Sequence, residues 1–455
     1  MLPTTERALL HRVATAQRDG RAPSLVAAVV RDSEIAWSGA RGDVDGRTPD
    51  TETAYRIGSI TKTFVAVLVM RLRDEGKLAL TDRIGDHLPH IDVGELSIAQ
   101  LLSHTSGLTS EAPGQWWERV PGGDFAALST SLRPDGRKHA AGTRLHYSNV
   151  GFAVLGELVG TLRGTSWLDA LRTEILLPLG MRRTTAEPEP PHARGWAVHP
   201  HADVLLPEPA EDAGAMAPAG QLWSTVNDLA RWVRFIDGDT GDVLSQDTMA
   251  EMRQPVTVDD ADALTEGLGL GLQVRRVGGR RLAGHGGSMP GFLACVFTEP
   301  KTSTGVLAMA NSTAGVALGA LADDLLDIVA SHEPAMPRQW RPFTEVDEEL
   351  LELTGTWYWG PTQVTLTLLA DDWLDLTPPG GGLTSRFRPT GEATWIGLDG
   401  YYAGETLRAV RDADGTLTHL DLATFVFTRR PYQADAPIPG DVDPQGWRAG
   451  GHLDT

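Results

Sequence analysis

The segment from Ser59 to Glu75 constrains the fold most strongly, because it is apolar on nearly all of its faces. Its central run, Phe64 to Met70, is apolar throughout, and Gly76 follows as a signal that ends a helix. A helix that is hydrophobic all round either lies in the core of a large protein or crosses a membrane. This run ends at Arg71 and is too short to span a bilayer, so we expect a helix at the centre of a globular domain.

Length and charge narrow the possible functions. The chain has 455 residues, of which 41% are hydrophobic, enough for two or three folded domains. Its 60 acidic and 40 basic side chains give a formal net charge of −20, which repels phosphate backbones and anionic lipids. We therefore expect neither a nucleic-acid partner nor a membrane partner. The single cysteine, Cys295, excludes an internal disulfide and cannot build a Cys/His zinc site.

The N-terminus shows no export signal. Residues 1–12 include Glu6 and His11 among scattered apolar residues, and they lack a cationic start followed by a long apolar stretch. No later run approaches the roughly 18 apolar residues that a membrane helix needs. We expect a cytoplasmic protein.

Hydrophobic periodicity predicts an α+β domain over residues 1–332. Its expected elements are an N-terminal amphipathic helix, a hairpin, the central helix, a mostly helical subdomain and a set of antiparallel strands. In chain order, the main expected segments are 6–19 (helix), 24–30 and 35–37 (hairpin), 98–103, 151–162 and 166–177 (helices), 270–274, 292–296 and 306–310 (strands), and 314–330 (helix).

The pattern of residue types changes after this domain. Prolines at 334, 337 and 342 predict a stiff linker over residues 333–344. Residues 345–432 then alternate apolar and polar side chains in short runs, with Asp414-Gly415 as a hairpin turn, which predicts a small antiparallel barrel or sandwich. Residues 433–455 are typical of a loose tail.

Ser59-Ile60-Thr61-Lys62 is the main chemical motif. If Ser59 begins the buried helix, Lys62 lies one turn later on the same face and its amine can reach the serine hydroxyl. An apolar sheath would lower the pKa of the lysine, so that it could serve as the base for a serine nucleophile. The helix N-terminus adds positive potential where an acyl oxyanion would form. The alternative for this short pattern is a helix-capping serine beside a solvated lysine.

Two further motifs could complete a site. In Tyr147-Ser148-Asn149, the phenol could relay a proton, and the amide could donate to a substrate carbonyl and hold the lysine. A loop tyrosine and a helix-capping asparagine are the structural alternative. The glycine-rich run from Gly284 through His285, Gly286 and Gly287 to Ser288 precedes a strand at Phe292, where glycines would let a ligand approach an edge strand.

In this order, Ser-x-x-Lys, Tyr-x-Asn and His-Gly-Gly resemble the active-site motifs of the serine β-lactamase and penicillin-binding-protein family, in its class C-like and esterase-like branch. The stretches 101–108, 218–230 and 284–292 agree with this resemblance, which covers about residues 6–332. It implies a β-lactamase/transpeptidase-like fold, in which an antiparallel sheet is flanked by helices and accompanied by a helical subdomain. The trailing domain resembles the small lipocalin-like barrels attached to some family members.

The resemblance implies roles for individual residues. Ser59 would attack a carbonyl and form an acyl-enzyme, while Lys62 and Tyr147 move the proton and Asn149 orients the substrate. The oxyanion hole would consist of the backbone N–H groups of Ser59 and Ser288, with His285, Gly286 and Gly287 lining the substrate site. The substrate would be a small-molecule or peptide acyl compound, and no metal or organic cofactor takes part.

Three histidines and one arginine bear on which residues act in catalysis and which substrates the site accepts. His104 lies in a motif that is structural in the family, and His146 should point away from Tyr147. His285 stands where penicillin-recognising members have Lys-Thr-Gly, so a neutral imidazole replaces a cation that would clamp a carboxylate, which puts efficient penicillin turnover in doubt. Arg448 either contacts a substrate carboxylate or lies free in solvent.

The sequence predicts a serine hydrolase that cleaves ester or amide bonds, similar to β-lactamases and D-alanyl-D-alanine carboxypeptidases. Two alternatives remain open. One is a peptidyl acyltransferase of the thioesterase or peptide-cyclase type. The other is a non-catalytic sensor that binds an acylated ligand. The number of subunits stays open as well.

Overall fold

The structure is a computed structural model that describes residues 1–258, 265–334, 336, 339–382 and 384–431. It divides into two compact units, Met1–Met336 and Pro337–Thr455, which are considered separately. The expected tail at 433–455 and Arg448 lie outside the described residues.

The first unit combines helices with an antiparallel sheet. Its helices are α1 Pro3–Asp19, α2 Thr61–Asp74, α3 Ile84–His87, α4 Ile98–Leu102, α5 Phe125–Ser129, α6 Asn149–Arg163, α7 Trp167–Leu171, α8 Ala217–Gly220, α9 Val226–Asp237, α10 Gln246–Met252 and α11 Leu318–His332. Its strands are β1 Ser24–Arg31, β2 Glu34–Gly42, β3 Tyr55–Arg56, β4 Trp196–Val198, β5 Leu205–Pro207, β6 Trp223–Ser224, β7 Thr257–Val258, β8 Glu266–Leu268, β9 Gln273–Val277, β10 Arg280–Met289, β11 Phe292–Glu299 and β12 Thr304–Ala310.

Eight strands form the main sheet, in the order β2-β1-β12-β11-β10-β9-β8-β7, and every neighbouring pair is antiparallel. Strand β1 is apolar on both faces, which is the pattern of a strand covered on both sides. Its residues 25, 27 and 29 pack with α1 and α11, and residues 26, 28 and 30 face the cluster that contains α2, α6 and α9. The prediction of an antiparallel sheet flanked by helices is confirmed.

The expected central helix exists with one change at its start. Gly58–Ile60 forms a 3₁₀ turn, and the α-helix proper is α2, Thr61–Asp74. Residues 61–70 of α2 are all buried. The apolar sheath that the sequence indicated therefore surrounds the first turn of this helix.

In the sheet, one predicted strand was wrong in position and one strand was not predicted. The strand expected at 270–274 begins only at Gln273, because Gly271 has a φ of +76° and turns the chain there. The glycine-rich run 284–288 precedes the strand at Phe292 as expected, but it lies inside a strand of its own, β10, which the sequence did not predict. A Cβ atom on Gly284 would lie 1.9 Å from the carbonyl oxygen of Val296, so this glycine serves close strand packing within the sheet.

The second unit is a nearly closed antiparallel barrel preceded by a short helix, α12 Glu348–Leu353. Its strands follow one another in order: β13 Gly355–Trp359, β14 Thr362–Leu368, β15 Leu374–Thr377, β16 Ser385–Gly391, β17 Thr394–Gly397, β18 Thr406–Arg411, β19 Leu417–Leu422 and β20 Phe425–Phe427. Two backbone hydrogen bonds between Tyr358 and Thr428, of 2.8 and 3.0 Å, join the last strand region to the first. The predicted small barrel is confirmed, with its own apolar core around Trp357 and Phe387.

Within the described parts of the chain, the helices are either too short or too polar to pass through a bilayer.

Candidate active site

The candidate site lies where the 3₁₀ turn before α2 meets β10. Gly58 in this turn has a φ of +53°, and a Cβ atom there would lie 2.5 Å from the Ser288 nitrogen. A Cβ atom on Gly287 would lie 2.0 Å from the Ile57 carbonyl oxygen and 3.1 Å from the Ser59 nitrogen. Only glycines allow the two backbones to approach so closely. Their contact brings the Ser59 and Ser288 backbone nitrogens to the same end of the site.

Lys62 is fully buried and forms a pair with Ser59. Its Nζ donates to Ser59 Oγ at 2.9 Å and to the Ala219 carbonyl oxygen at 2.7 Å. Burial lowers the pKa of Lys62 from 10.5 to about 7, although the carboxylates of Glu111 and Glu118 oppose this shift. Near neutral pH part of the Lys62 population is therefore uncharged and able to accept a proton.

Tyr147 stands beside this pair. Its ring centroid lies 5.0 Å from Lys62 Nζ, and its hydroxyl faces the Ser59 side chain. Burial raises the pKa of the Tyr147 phenol well above its ordinary value, and the hydrogen bond with Ser59 offsets only part of this shift. The phenol is therefore protonated at neutral pH, and it can pass a proton on without resting as a phenolate.

His104 and His146 take the structural positions expected from the sequence. The His104 ring stacks on Tyr147 with a centroid distance of 4.3 Å, and its Nδ1 accepts the Ser148 backbone N–H at 2.9 Å. It thus fixes both the tyrosine ring and the start of α6. His146 Nε2 lies 3.3 Å from Ser110 Oγ, so this ring turns to the neighbouring loop.

Asn149 is the first residue of α6, whose N-cap is Ser148. Its Nδ2 donates to Glu111 Oε1 at 2.8 Å, whereas Lys62 bonds to Ser59 and Ala219. The expectation that this amide holds the lysine was therefore wrong, because the Lys62 amine donates to Ser59 Oγ and the Ala219 carbonyl oxygen and not to Asn149 Oδ1. The buried Asn149 Oδ1 has no hydrogen-bond partner among the described residues, so it can accept a bond from a substrate.

Sequence reasoning missed Glu111. Its Oε2 accepts the Trp117 indole N–H at 2.6 Å, so the carboxylate bridges a loop tryptophan and Asn149. The contact joins residues 38 positions apart. Neither periodicity nor a local motif signals such a pairing.

His285 is 1% exposed, and its Nδ1 contacts the Gly286 carbonyl oxygen. Burial, followed by the charge of Lys62, lowers the pKa of His285 to about 3. The imidazole is therefore neutral throughout the physiological range. Gln273, also missed from the sequence, accepts the Gly286 backbone N–H with its Oε1 at 3.0 Å.

A cavity of about 600 Å³ opens at this site. It is lined by six of the predicted site residues: Ser59, Tyr147, His285, Gly286, Gly287 and Ser288. Lys62 and Asn149 adjoin it through their contacts with Ser59 and with the Tyr147 loop. Over the described residues, no cluster of three or more His, Cys, Asp or Glu side chains could hold a metal ion.

Each of the two parts of the chain matches a family model. The model of a family described as β-lactamase matches residues 9–331, and a second model, described as a domain of unknown function (DUF7586), matches residues 346–429. Penicillin-binding protein 4 of Amycolatopsis lactamdurans is 31% identical over 66% of this chain and 83% of its own length. β-Lactamase-like protein 2 of Dictyostelium discoideum is 27% identical over 54% of this chain, which spans 48% of that protein.

Solved structures show the same fold. The octameric penicillin-binding protein homologue from Pyrococcus abyssi superposes with a TM-score of 0.65 at 20% identity, over 92% of this chain and 99% of its own. A D-stereospecific amidohydrolase from Streptomyces sp. gives 0.59 at 25% identity, over 73% and 99%. A class C β-lactamase variant gives 0.62 at 19%, over 71% and 97%. The predicted β-lactamase/transpeptidase-like fold is confirmed.

Proposed function

The chain belongs to the β-lactamase family of serine hydrolases, and from that premise we propose that it cleaves ester or amide bonds through an acyl-enzyme on Ser59. One observation carries the proposal: a buried Lys62 amine, with a pKa of about 7, lies 2.9 Å from Ser59 Oγ. A serine hydroxyl is a weak nucleophile until a neighbouring base takes its proton.

In the acylation step, neutral Lys62 takes the proton from Ser59 Oγ while this oxygen bonds to the substrate carbonyl carbon. The Ala219 carbonyl oxygen holds the amine in place through its 2.7 Å hydrogen bond. The carbonyl oxygen gains negative charge and turns toward the backbone N–H groups of Ser59 and Ser288. Fixed donors of this kind stabilise an oxyanion without reorganisation.

In the collapse of this intermediate, the bond to the leaving oxygen or nitrogen breaks and that atom takes a proton. The Tyr147 phenol donates it and is reprotonated by the Lys62 ammonium, so the leaving group departs as a neutral alcohol or amine. The raised pKa of Tyr147 keeps the phenol protonated at neutral pH, so the proton is present when the leaving atom needs it.

Water then attacks the Ser59 ester. Lys62 and Tyr147 take the water proton and return one to Ser59 Oγ, which releases the acid and restores the free enzyme. An amine that replaced water at this step would give a new amide. This acyl transfer is the second outcome that the same site supports.

The environment of His285 bears on the substrate class. A neutral, buried imidazole supplies no permanent charge for a substrate carboxylate, so we propose esters and uncharged amides as substrates in preference to penicillins. The Streptomyces relative, named for D-stereospecific amide hydrolysis, supports an amide among these substrates.

Intact-protein mass spectrometry after incubation with a fluorophosphonate tests the acyl-enzyme. We expect one adduct per chain, mapped to Ser59 by peptide analysis, and none in Ser59→Ala. Product analysis with p-nitrophenyl butyrate, with and without an added amine, separates hydrolysis from transfer. A folded protein that neither forms the adduct nor turns over p-nitrophenyl acetate would contradict the proposal and favour the sensor alternative.

A further inference from the structure

The cavity extends beyond the catalytic residues, around an open edge of the sheet. The pairing of β10 with β9 ends at Gly284 and Gln273, whereas its pairing with β11 continues to Met289 and Phe292. Among the residues that the structure describes, the part of β10 from His285 to Met289 therefore has no strand partner on its β9 side. The residues that line the cavity include Ser59 and Tyr147 and also Cys295 and Phe297, whose side chains belong to the apolar cluster between the sheet and α11.

The far end of the cavity is apolar. We call it the annex, and it is lined by Leu293, Cys295, Phe297, Val316 and Leu318. Four of these side chains belong to the buried cluster between the sheet and α11, and Leu293 packs against it. Ser59 and Tyr147 line the other end of the same cavity. A substrate bound at Ser59 can therefore extend into the annex.

Gly286 lies at the passage between the two ends. It pairs directly with Cys295 across the two strands, so both residues face the annex side of the sheet. A Cβ atom on Gly286 would meet only Gln273 Oε1, at 3.8 Å. The backbone therefore does not require glycine here, in contrast to Gly287, whose Cβ would clash with the Ile57 carbonyl oxygen. Because Gly286 has no side chain, the space between the two ends of the cavity stays open.

The charged residues that line the cavity favour a neutral substrate group. Of the described residues that line the cavity, Arg275 is the only lysine or arginine, and its guanidinium pairs with Asp323 at 2.8 Å and Glu266 at 3.5 Å. The same group lies 5.0 Å from the centre of the Phe297 ring. Its charge is already compensated, so a substrate anion would have to compete with two carboxylates.

The position of Tyr147 determines which part of the substrate enters the annex. The Tyr147 ring lies 6.2 Å from His285, whereas the oxyanion donor Ser288 lies at the other end of this strand segment. Because Tyr147 must reach the leaving atom, the leaving group points toward His285 and Gly286.

We propose that the annex binds the leaving group of the substrate, and that this group is an uncharged, apolar alcohol or amine large enough to pass Gly286. This inference rests on the proposed acyl-enzyme at Ser59 and names the substrate class of that site. Burial of an apolar group against these side chains favours a leaving group with an aromatic or branched aliphatic body.

Three acetate esters with leaving groups of similar acidity test the annex: phenyl acetate, 2-naphthyl acetate and 3-acetoxybenzoate. For the wild-type chain we expect kcat/KM for the naphthyl ester to exceed that for the phenyl ester by about tenfold. We expect the anionic benzoate to fall about tenfold or more below the phenyl ester. Equal values for the three esters, or a preference for the benzoate, would overturn the inference.

Two variants fill the annex from opposite ends, Gly286→Val at the passage and Leu318→Phe at the far wall. Each should lower the naphthyl-to-phenyl ratio about tenfold. Gly136→Val is the matched control, because Gly136 ends the 3₁₀ turn Pro134–Gly136 outside the cavity, has no left-handed φ and has nothing within 4 Å of its Cβ position. It should keep the wild-type ratio. An unchanged ratio in both filling variants counts against the annex.

Fluorophosphonate labelling of Ser59 in the same samples separates the two proposals. A wild-type chain that forms the adduct but shows no leaving-group preference refutes the annex and leaves the acyl-enzyme standing. A wild-type chain that forms no adduct refutes the acyl-enzyme and the annex with it.

Discussion

The burial of the Lys62 amine lowers the stability of the folded chain, and it also lowers the pKa of the amine, which the proposed mechanism requires. An amine enclosed by apolar side chains gives up its hydration, and this cost appears as the lowered pKa of about 7. The unfolded chain, in which the same amine has a pKa near 10.5, binds the proton more tightly between these two values. The contribution of this group to stability therefore rises as the pH increases from about 7 to about 10.5.

We predict that Lys62→Met lowers the rate of Ser59 acylation by about 10²–10⁴-fold, since the base is removed while the apolar packing is kept. The variant should be more stable than the wild type at pH 7 and below, and this advantage should shrink toward pH 10. Thermal unfolding at pH 7 and pH 10, together with p-nitrophenyl acetate turnover, measures both effects.

Lys77→Met provides the control for this pair of measurements, because Lys77 is exposed and forms an ion pair with Glu75 in the surface turn after α2. It should change neither turnover nor the pH dependence of stability. Wild-type turnover in Lys62→Met would show that another group serves as the base.

We predict that Tyr147→Phe affects substrates according to their leaving groups. A good leaving group such as p-nitrophenolate departs without a proton, so its acylation rate should fall by less than about tenfold. An alkyl ester or an amide needs the proton, and its rate should fall by about 10²-fold or more. Single-turnover kinetics with both substrate types measures the difference. Equal losses would mean that Tyr147 acts on Ser59 itself instead of on the leaving atom.

The sequence predicted the residues with a local signature and missed those without one. Ser59 and Lys62 lie one helical turn apart, so their spacing alone implies contact between the side chains. Glu111 and Gln273 reach the site through tertiary contacts with Asn149 and Gly286, and nothing in their own segments indicates these partners. The distances that make the site reactive depend on the packing of whole elements.

At the scale of elements, the site depends on the contact between the 3₁₀ turn and β10. Gly58 meets two demands at once, a positive φ and room for the Ser288 backbone. We predict that Gly58→Ala costs more than the roughly 1–2 kcal/mol expected from the left-handed backbone alone, and that it abolishes Ser59 labelling, because β10 must move away. Chemical denaturation and adduct formation measure the two losses.

Gly76→Ala is the matched comparison. Gly76 also has a positive φ, of +70°, but nothing lies within 4 Å of its Cβ position. It should show the backbone cost without loss of labelling. If the two variants behaved alike, the close approach of β10 would not matter for the site.

Element boundaries were predictable where a continuous apolar run fills the element. Helix α2 and strand β1 were found within a few residues, because continuous apolar runs determine them. Strand β10 was not recognised, because its glycines are typical of a loop when only the sequence is considered. Their place in a strand follows from backbone contacts with Val296 and Ile57, which lie elsewhere in the chain.

At the scale of the whole molecule, the two units have separate cores. The barrel encloses its own cluster, with Trp357, Phe387 and Trp395 among its buried side chains. The proposed boundary near residue 345 implies that residues 345–431 fold alone. We predict a β-type circular dichroism spectrum and a cooperative thermal transition for this fragment.

Two tryptophans of strand β13 give this prediction a control. Trp357 is fully buried, whereas Trp359 is 45% exposed. Trp357→Ala should destabilise the isolated barrel by about 3–5 kcal/mol and abolish its transition, and Trp359→Ala should leave the transition in place. A fragment without any cooperative transition would show that the barrel depends on the rest of the chain.

The pH dependence of Ser59 acylation tests the central claim most directly. The rate of fluorophosphonate adduct formation, measured by mass spectrometry between pH 5 and pH 9, should rise through a single ionisation near pH 7, because neutral Lys62 is the base. Lys62→Met should lose this rise. A wild-type rate that is flat across this range, or that rises only near pH 10, would contradict the account.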